Sequence, residues 1–164
     1  MNLKILRRKI DSLDKNIVKL LNNRANVTIE IARVKHMTKQ SIYCPDRERE
    51  VLKNLALTNQ GPVTSSALKA IYREIMSASL ALEKNLKVAY LGPQATFTHQ
   101  AALKKFGSQV EYIPCESITD VFREVEKNNS DYGVVPIENS VEGAVSHTLD
   151  MLVDSDLKIC SQVI

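Results

Sequence analysis

Apolar residues in the first fifth of the chain recur every three or four positions. Leu3, Leu6, Ile10, Leu13, Ile17, Leu20, Val27, Ile31 and Val34 keep this spacing, with Arg24 at the one polar position of the series. The spacing holds one stripe of a helix, and sustained over about four heptads it gives a coiled-coil-like face. A helix over residues 3–34 would be about 50 Å long at ~1.5 Å per residue. No small monomer covers such a stripe, so a partner is predicted, most simply a second copy of the chain. Tyr43-Cys44-Pro45 ends the pattern, and Pro45 suits the first turn of a new helix. Residues 46–57 form that short helix, with Val51, Leu52 and Leu55 inward. After the turn Asn59-Gln60-Gly61-Pro62, Thr64 or Ser65 caps a third helix carrying Leu68, Ile71, Ile75, Ala78 and Leu82 and ending near Asn85.

At Lys87 the period changes. Val88–Leu91, Val110–Pro114, Tyr132–Ile137 and Leu157–Ile164 read as strands. Between them, Thr98–Phe106, the stretch opened by the capping box Ser117-Ile118-Thr119-Asp120, and Val141–Val153 read as helices. Strands alternating with helices indicate βαβ units and a parallel sheet. The expected fold is therefore α plus α/β: a three-helix domain over residues 1–86, then a parallel-sheet lobe over residues 87–164.

Composition narrows the class. The 164 residues are 44% hydrophobic and 25% charged, ordinary for a globular chain. No apolar run approaches the roughly 20 residues of a membrane span. The charged N-terminus does not resemble a secretory signal, and three widely spaced cysteines fit a reducing, cytoplasmic setting. The net charge of +3 is unevenly shared: residues 1–86 carry sixteen Lys/Arg against eight Asp/Glu, and residues 87–164 six against eleven. A basic half suits either nucleic acid or a small polyanion, but the aromatic residues needed for base stacking are sparse.

Arg24 is the anomaly in the apolar stripe. A guanidinium there requires an anionic partner, either a structural ion pair or an anionic ligand. Lys35 lies eleven residues on, about 20° past three turns, and so shares that face. Arg7 is about 100° off it and would more easily reach a neighbouring subunit's site. Arg47 adds a cation on the short helix beside Glu48, although alone Arg7 or Arg47 would pass for a solvated charge. Ser79 and Glu83 stand at i, i+4 on the third helix. With no metal-ligand spacing, no Gly-rich phosphate loop and no nucleophile–histidine pair, the inventory calls for no metal or cofactor. It suits a reaction that needs only orientation and charge stabilisation.

Leu6-Arg7-Arg8-Lys9-Ile10-Asp11-Ser12-Leu13-Asp14, Leu21-Asn22-Asn23-Arg24, Ile31-Ala32-Arg33-Val34-Lys35, Pro45-Asp46-Arg47-Glu48 and Ser79-Leu80-Ala81-Leu82-Glu83 together resemble the all-helical chorismate mutase family. The resemblance implies a domain-swapped homodimer built through the long first helix, which converts chorismate to prephenate. It implies that Arg24 and the partner subunit's Arg7 hold the two carboxylates. By the same resemblance Lys35 and Glu83 would face the ether oxygen, and Arg47, Glu48 and Ser79 would complete the wall and hold the hydroxyl and a carboxylate. Where relatives often carry Gln, this chain has Glu83, which donates only when protonated; activity is then expected to favour mildly acidic pH. Cys44 stands where some relatives carry Asp, and reads as a plain loop cysteine.

Val88-Ala89-Tyr90-Leu91-Gly92-Pro93-Gln94-Ala95-Thr96-Phe97-Thr98-His99-Gln100-Ala101-Ala102 and Val135-Pro136-Ile137-Glu138-Asn139-Ser140-Val141-Glu142-Gly143-Ala144-Val145 resemble signature segments of the prephenate dehydratase family. That resemblance implies that Thr96, Phe97, Glu138, Asn139 and Ser140 line a prephenate cleft. From the residues alone, Glu138 and Asn139 also fit a turn before a helix. The family carries a Thr-Arg-Phe motif on a second lobe, and that motif is not in this sequence, so the resemblance implies that residues 87–164 are the first part of an incomplete dehydratase domain. The expectation is thus a working mutase within a bifunctional, phenylalanine-directed enzyme, with dehydration not completed by this chain. A non-catalytic helical dimerisation module carrying a ligand-sensing lobe is the alternative. Its cations would point outward, with neither nucleic acid nor membrane being the expected partner of the enzyme.

Overall fold

The computed structural model describes residues 2–139 and 143–163. The chain divides into two compact units, residues 1–42 and 43–164.

The first unit is one helix, α1 (Leu3–Thr38), capped by Asn2, whose side chain accepts the Lys4 N–H at 2.9 Å. It outlasts the predicted stripe by one turn, and its last turn carries Lys35, a cation that suits the negative end of the helix dipole. It stops at Lys39, whose backbone is left-handed, with Gln40 N–H returning to the Lys35 carbonyl at 3.0 Å. Most of the predicted seam stays open to solvent, from 46% exposure at Ile31 to 66% at Leu20.

The second unit begins with two helices, α2 (Pro45–Thr58) and α3 (Ser65–Glu83), which pack on each other. Pro45 occupies the first turn of α2, as the sequence predicts. Thr64 caps α3 by accepting the Ala67 N–H at 3.2 Å. Then follow β1 (Lys87–Leu91), α4 (Phe97–Phe106), β2 (Glu111–Cys115), α5 (Ile118–Glu126) and β3 (Tyr132–Val134). The strands form a parallel sheet in the order β2-β1-β3, with Val88 opposite both Tyr112 and Tyr132. Because side chains alternate along a strand, β1 serves two layers. Val88 and Tyr90 pack with Ala102 and Phe106 of α4, while Ala89 packs with Val121 of α5. The architecture is α plus α/β, as expected.

The helical and α/β parts of this unit are joined by packing as well as by chain. Tyr43 and Leu86 belong to the same buried cluster as Val88, Tyr90 and Phe106. Gly107, with φ of +76°, passes so close to α3 that a Cβ there would lie 2.5 Å from Ser77 Cβ. Ser77 Oγ accepts the Gln109 N–H at 3.0 Å, and Lys84 pairs with Asp131, which also accepts the Lys87 N–H at 3.0 Å.

Three element expectations change. The strand expected over 132–137 ends at Val134, two residues before Pro136 removes a ladder donor. The helix expected from Val141 begins at Ser146 as α6 (Ser146–Asp154); Val141 itself lies outside the described residues. Before it, β4 (Glu138–Asn139) pairs antiparallel with β5 (Gly143–Ala144), where Gly143 has φ of +78°. The strand expected at Leu157–Ile164 is irregular over 157–163, and Ile164 is outside the described residues. An apolar run becomes a strand only with a ladder partner, and this one pairs with no described strand edge.

Candidate functional site

In the first unit, Arg24 and Lys35 are half-buried on α1, whereas Arg7 is exposed. Lys35 Nζ donates to the Ile42 carbonyl at 2.6 Å, which ties the last turn of α1 to the chain leaving it.

In the second unit, Arg47 and Glu48 stand side by side in the first turn of α2, where acidic side chains suit the positive end of the dipole. Arg47 is exposed and pairs with Glu50 at 2.5 Å, so the structure gives it the solvated-charge geometry. Glu48 differs: its Oε2 accepts from Tyr43 Oη at 2.9 Å and from Lys105 Nζ at 3.2 Å, all half-buried or buried. Burial and the neighbouring Glu48 carboxylate push the Tyr43 phenol well above its ordinary range. Ser79 and Glu83 are half-buried near the end of α3, with Ser79 Oγ donating to the Ile75 carbonyl at 2.8 Å. Cys44 caps α2 by position only, its thiol making no cap hydrogen bond. A cleft of about 210 Å³ opens beside Glu48, lined also by Leu52, Arg73, Lys104 and Lys105.

The expected cleft residues of the lobe are arranged less tightly. Thr96 is the N-cap of α4, accepting the His99 N–H at 3.3 Å and donating to the Leu91 carbonyl at 3.2 Å. It therefore sits where β1 ends and α4 begins, the place at which open parallel sheets bind ligands. Phe97 is 89% exposed. Glu138 is exposed on β4, Asn139 pairs with Gly143 in register, and Ser140 lies outside the described residues. Among the described residues, no group of three or more His, Cys, Asp or Glu is arranged to hold a metal ion. Among the described residues, no helix is long and apolar enough to cross a membrane.

Lys105 and Tyr43 are the residues that sequence reasoning missed. Lys105 is 57 positions from Glu48 and carries no motif. The only available signal was Tyr43 itself, a large aromatic directly before the Cys44-Pro45 break.

Comparison with known proteins agrees with both halves. Residues 6–84 match the family model described as Chorismate mutase type II, and residues 88–164 match that of Prephenate dehydratase. The chain is 50% identical over 166 residues to the bifunctional chorismate mutase/prephenate dehydratase of Aquifex aeolicus (strain VF5), covering 99% of this chain and 46% of that protein. It is 48% identical to the protein of the same name from Pseudomonas aeruginosa, covering 98% of this chain and again 46% of the relative. The chain thus spans less than half the length of these curated relatives. Among solved structures, chorismate mutase (form II) from Thermus thermophilus covers 49% of this chain and 92% of its own at 33% identity, with a TM-score of 0.49. Residues 6–84 are thus similar to the type II chorismate mutase family and residues 88–164 to the prephenate dehydratase family.

Proposed function

We propose that residues 1–86 form a chorismate mutase domain and that residues 87–164 are part of a prephenate dehydratase domain. The proposed reaction is the unimolecular rearrangement of chorismate to prephenate. It needs the dianion folded into a compact conformer and negative charge stabilised on the ether oxygen as that bond breaks. No proton need move. Arg24 and the partner subunit's Arg7 are proposed to hold the carboxylates, and Lys35 with Glu83 to face the ether oxygen. Arg47, Glu48 and Ser79 are proposed to hold the ring hydroxyl and a carboxylate. The observation that carries the reading is the pair Arg24 and Lys35, half-buried on a helix whose stripe is otherwise apolar, within a segment that matches the mutase family.

The same stripe supports a homodimer. Its half-exposed Leu, Ile and Val side chains run along a 36-residue helix, and a second α1 is the simplest surface of matching length and pattern. Domain swapping through α1 is part of this proposal.

Dehydration is proposed for the longer bifunctional proteins and not for this chain by itself. Thr96, Phe97, Glu138, Asn139 and Ser140 are the proposed prephenate-facing residues. The large exposure of Phe97 supports a cleft with one wall among the described residues. The test is chorismate consumption by the purified chain together with an acid-quench assay for phenylpyruvate. Chorismate loss without phenylpyruvate is expected; no loss from a folded dimer would reject the mutase reading.

A further inference from the structure

We infer that Lys105, on α4 of the α/β lobe, is a positioning residue for mutase chemistry and acts through Glu48. The inference rests on the proposed function, in which Arg47, Glu48 and Ser79 hold the ring hydroxyl and a carboxylate of chorismate; of the three, the Glu48 carboxylate is the group that can only accept, which suits it to the hydroxyl.

Lys105 Nζ lies 3.2 Å from Glu48 Oε2, and both side chains are largely buried, at 17% and 16% exposure. Tyr43 Oη donates to the same oxygen at 2.9 Å. Among the described residues, Glu48 Oε1 accepts no hydrogen bond. One carboxylate oxygen is therefore anchored twice and the other stays available to accept a hydroxyl.

The anchor is itself fixed. The Lys105 ammonium sits 5.5 Å from the centroid of the Tyr43 ring, within cation–π range. That ring packs 5.2 Å from Phe106 and 5.4 Å from Tyr132, both of the α/β lobe. A carboxylate on a helix of the mutase segment is thus oriented by two groups that depend on the packing of the dehydratase segment. Free in solvent, Glu48 would sample several rotamers and would have to be ordered at each binding event.

Holding the hydroxyl equally in substrate and transition state affects KM more than kcat. The test measures kinetics of the chain with Lys105→Met, Lys105→Arg and Glu48→Gln, with chorismate and with an analogue lacking the ring hydroxyl. Lys105→Met should raise KM for chorismate about tenfold with kcat changed less than about threefold. Lys105→Arg should stay within about twofold of the parent, because it keeps the charge. The KM effect should vanish in the Glu48→Gln background and with the hydroxyl-free analogue, which a merely structural role for Lys105 would not produce. If Lys105→Met does not fold, Lys105→Gln is read by the same criteria. An unchanged KM in a folded variant, or an equal shift with the analogue, overturns the inference alone. No chorismate turnover by the parent chain removes the mutase reading and this inference with it.

Discussion

Helix α1 and strand β1 are both apolar by pattern, yet they end up in opposite surroundings. Three of the five residues of β1 are buried, with Val88 and Ala89 at 0% exposure, because α4 and α5 cover its two faces. The stripe of α1 keeps Leu3, Ile10, Leu13, Ile17 and Leu20 each more than half exposed. An apolar pattern states that a face must be covered; it does not state by what. For β1 the cover lies within the following 40 residues, whereas for α1 a second copy of the chain is the proposed cover.

The largest way to break that comparison is through the site. Replacing Arg24 by Ala should lower kcat/KM for chorismate by roughly a hundred- to a thousandfold, because Arg24 is proposed to hold the reacting dianion. Circular dichroism should stay unchanged, since Arg24 is dispensable for helix formation. Activity near the parent value would detach Arg24 from the chemistry.

Packing comes next. Phe106→Ala should destabilise the α/β lobe by about 3–5 kcal/mol, because the ring is buried against Tyr43 and Tyr132. Leu20→Glu should instead shift sedimentation from dimer to protomer, while denaturant melting of the lobe moves by no more than about 0.5 kcal/mol. Equal effects of the two on the lobe would erase the distinction between a covered face and an awaiting one.

These contrasts also explain which features were legible in the sequence. Most elements were: α1 and α3 announce themselves through repeated spacing and β1 through a short apolar run, and Pro45, Thr64 and Ser117 mark helix starts by their own chemistry. The Leu157–Ile164 run looked like a strand because composition records propensity and not the presence of a ladder partner. The β4–β5 hairpin was hidden within a stretch that resembles a helix start, and Gly143 with positive φ was its only local sign. Arg24 and Lys35 could be placed on one face by arithmetic. The Glu48–Lys105–Tyr43 cluster could not, since it joins residues 57 positions apart through packing alone. The compact units divide at 42/43, inside the matched mutase segment, because Tyr43 packs with the lobe. The boundary at 86/87 is a proposal about families, and packing draws its own line.

A smaller effect concerns protons. At the alkaline end, burial and Glu48 hold the Tyr43 phenol protonated in the folded chain beyond the point, about pH 10, at which the unfolded chain ionises. A group whose folded pKa is raised adds stability below its unfolded pKa, and that stability is lost as pH rises toward the folded value. Unfolding free energy should therefore fall above about pH 10, and less steeply in Tyr43→Phe; equal slopes would contradict the buried-phenol account.

The central claim is that this chain carries a mutase site and needs no further chemistry to use it. Following chorismate absorbance with the purified chain, and assaying phenylpyruvate in the same sample, tests it most directly. The account predicts steady chorismate loss to prephenate with no phenylpyruvate formed. A folded dimer that leaves chorismate unchanged would contradict it.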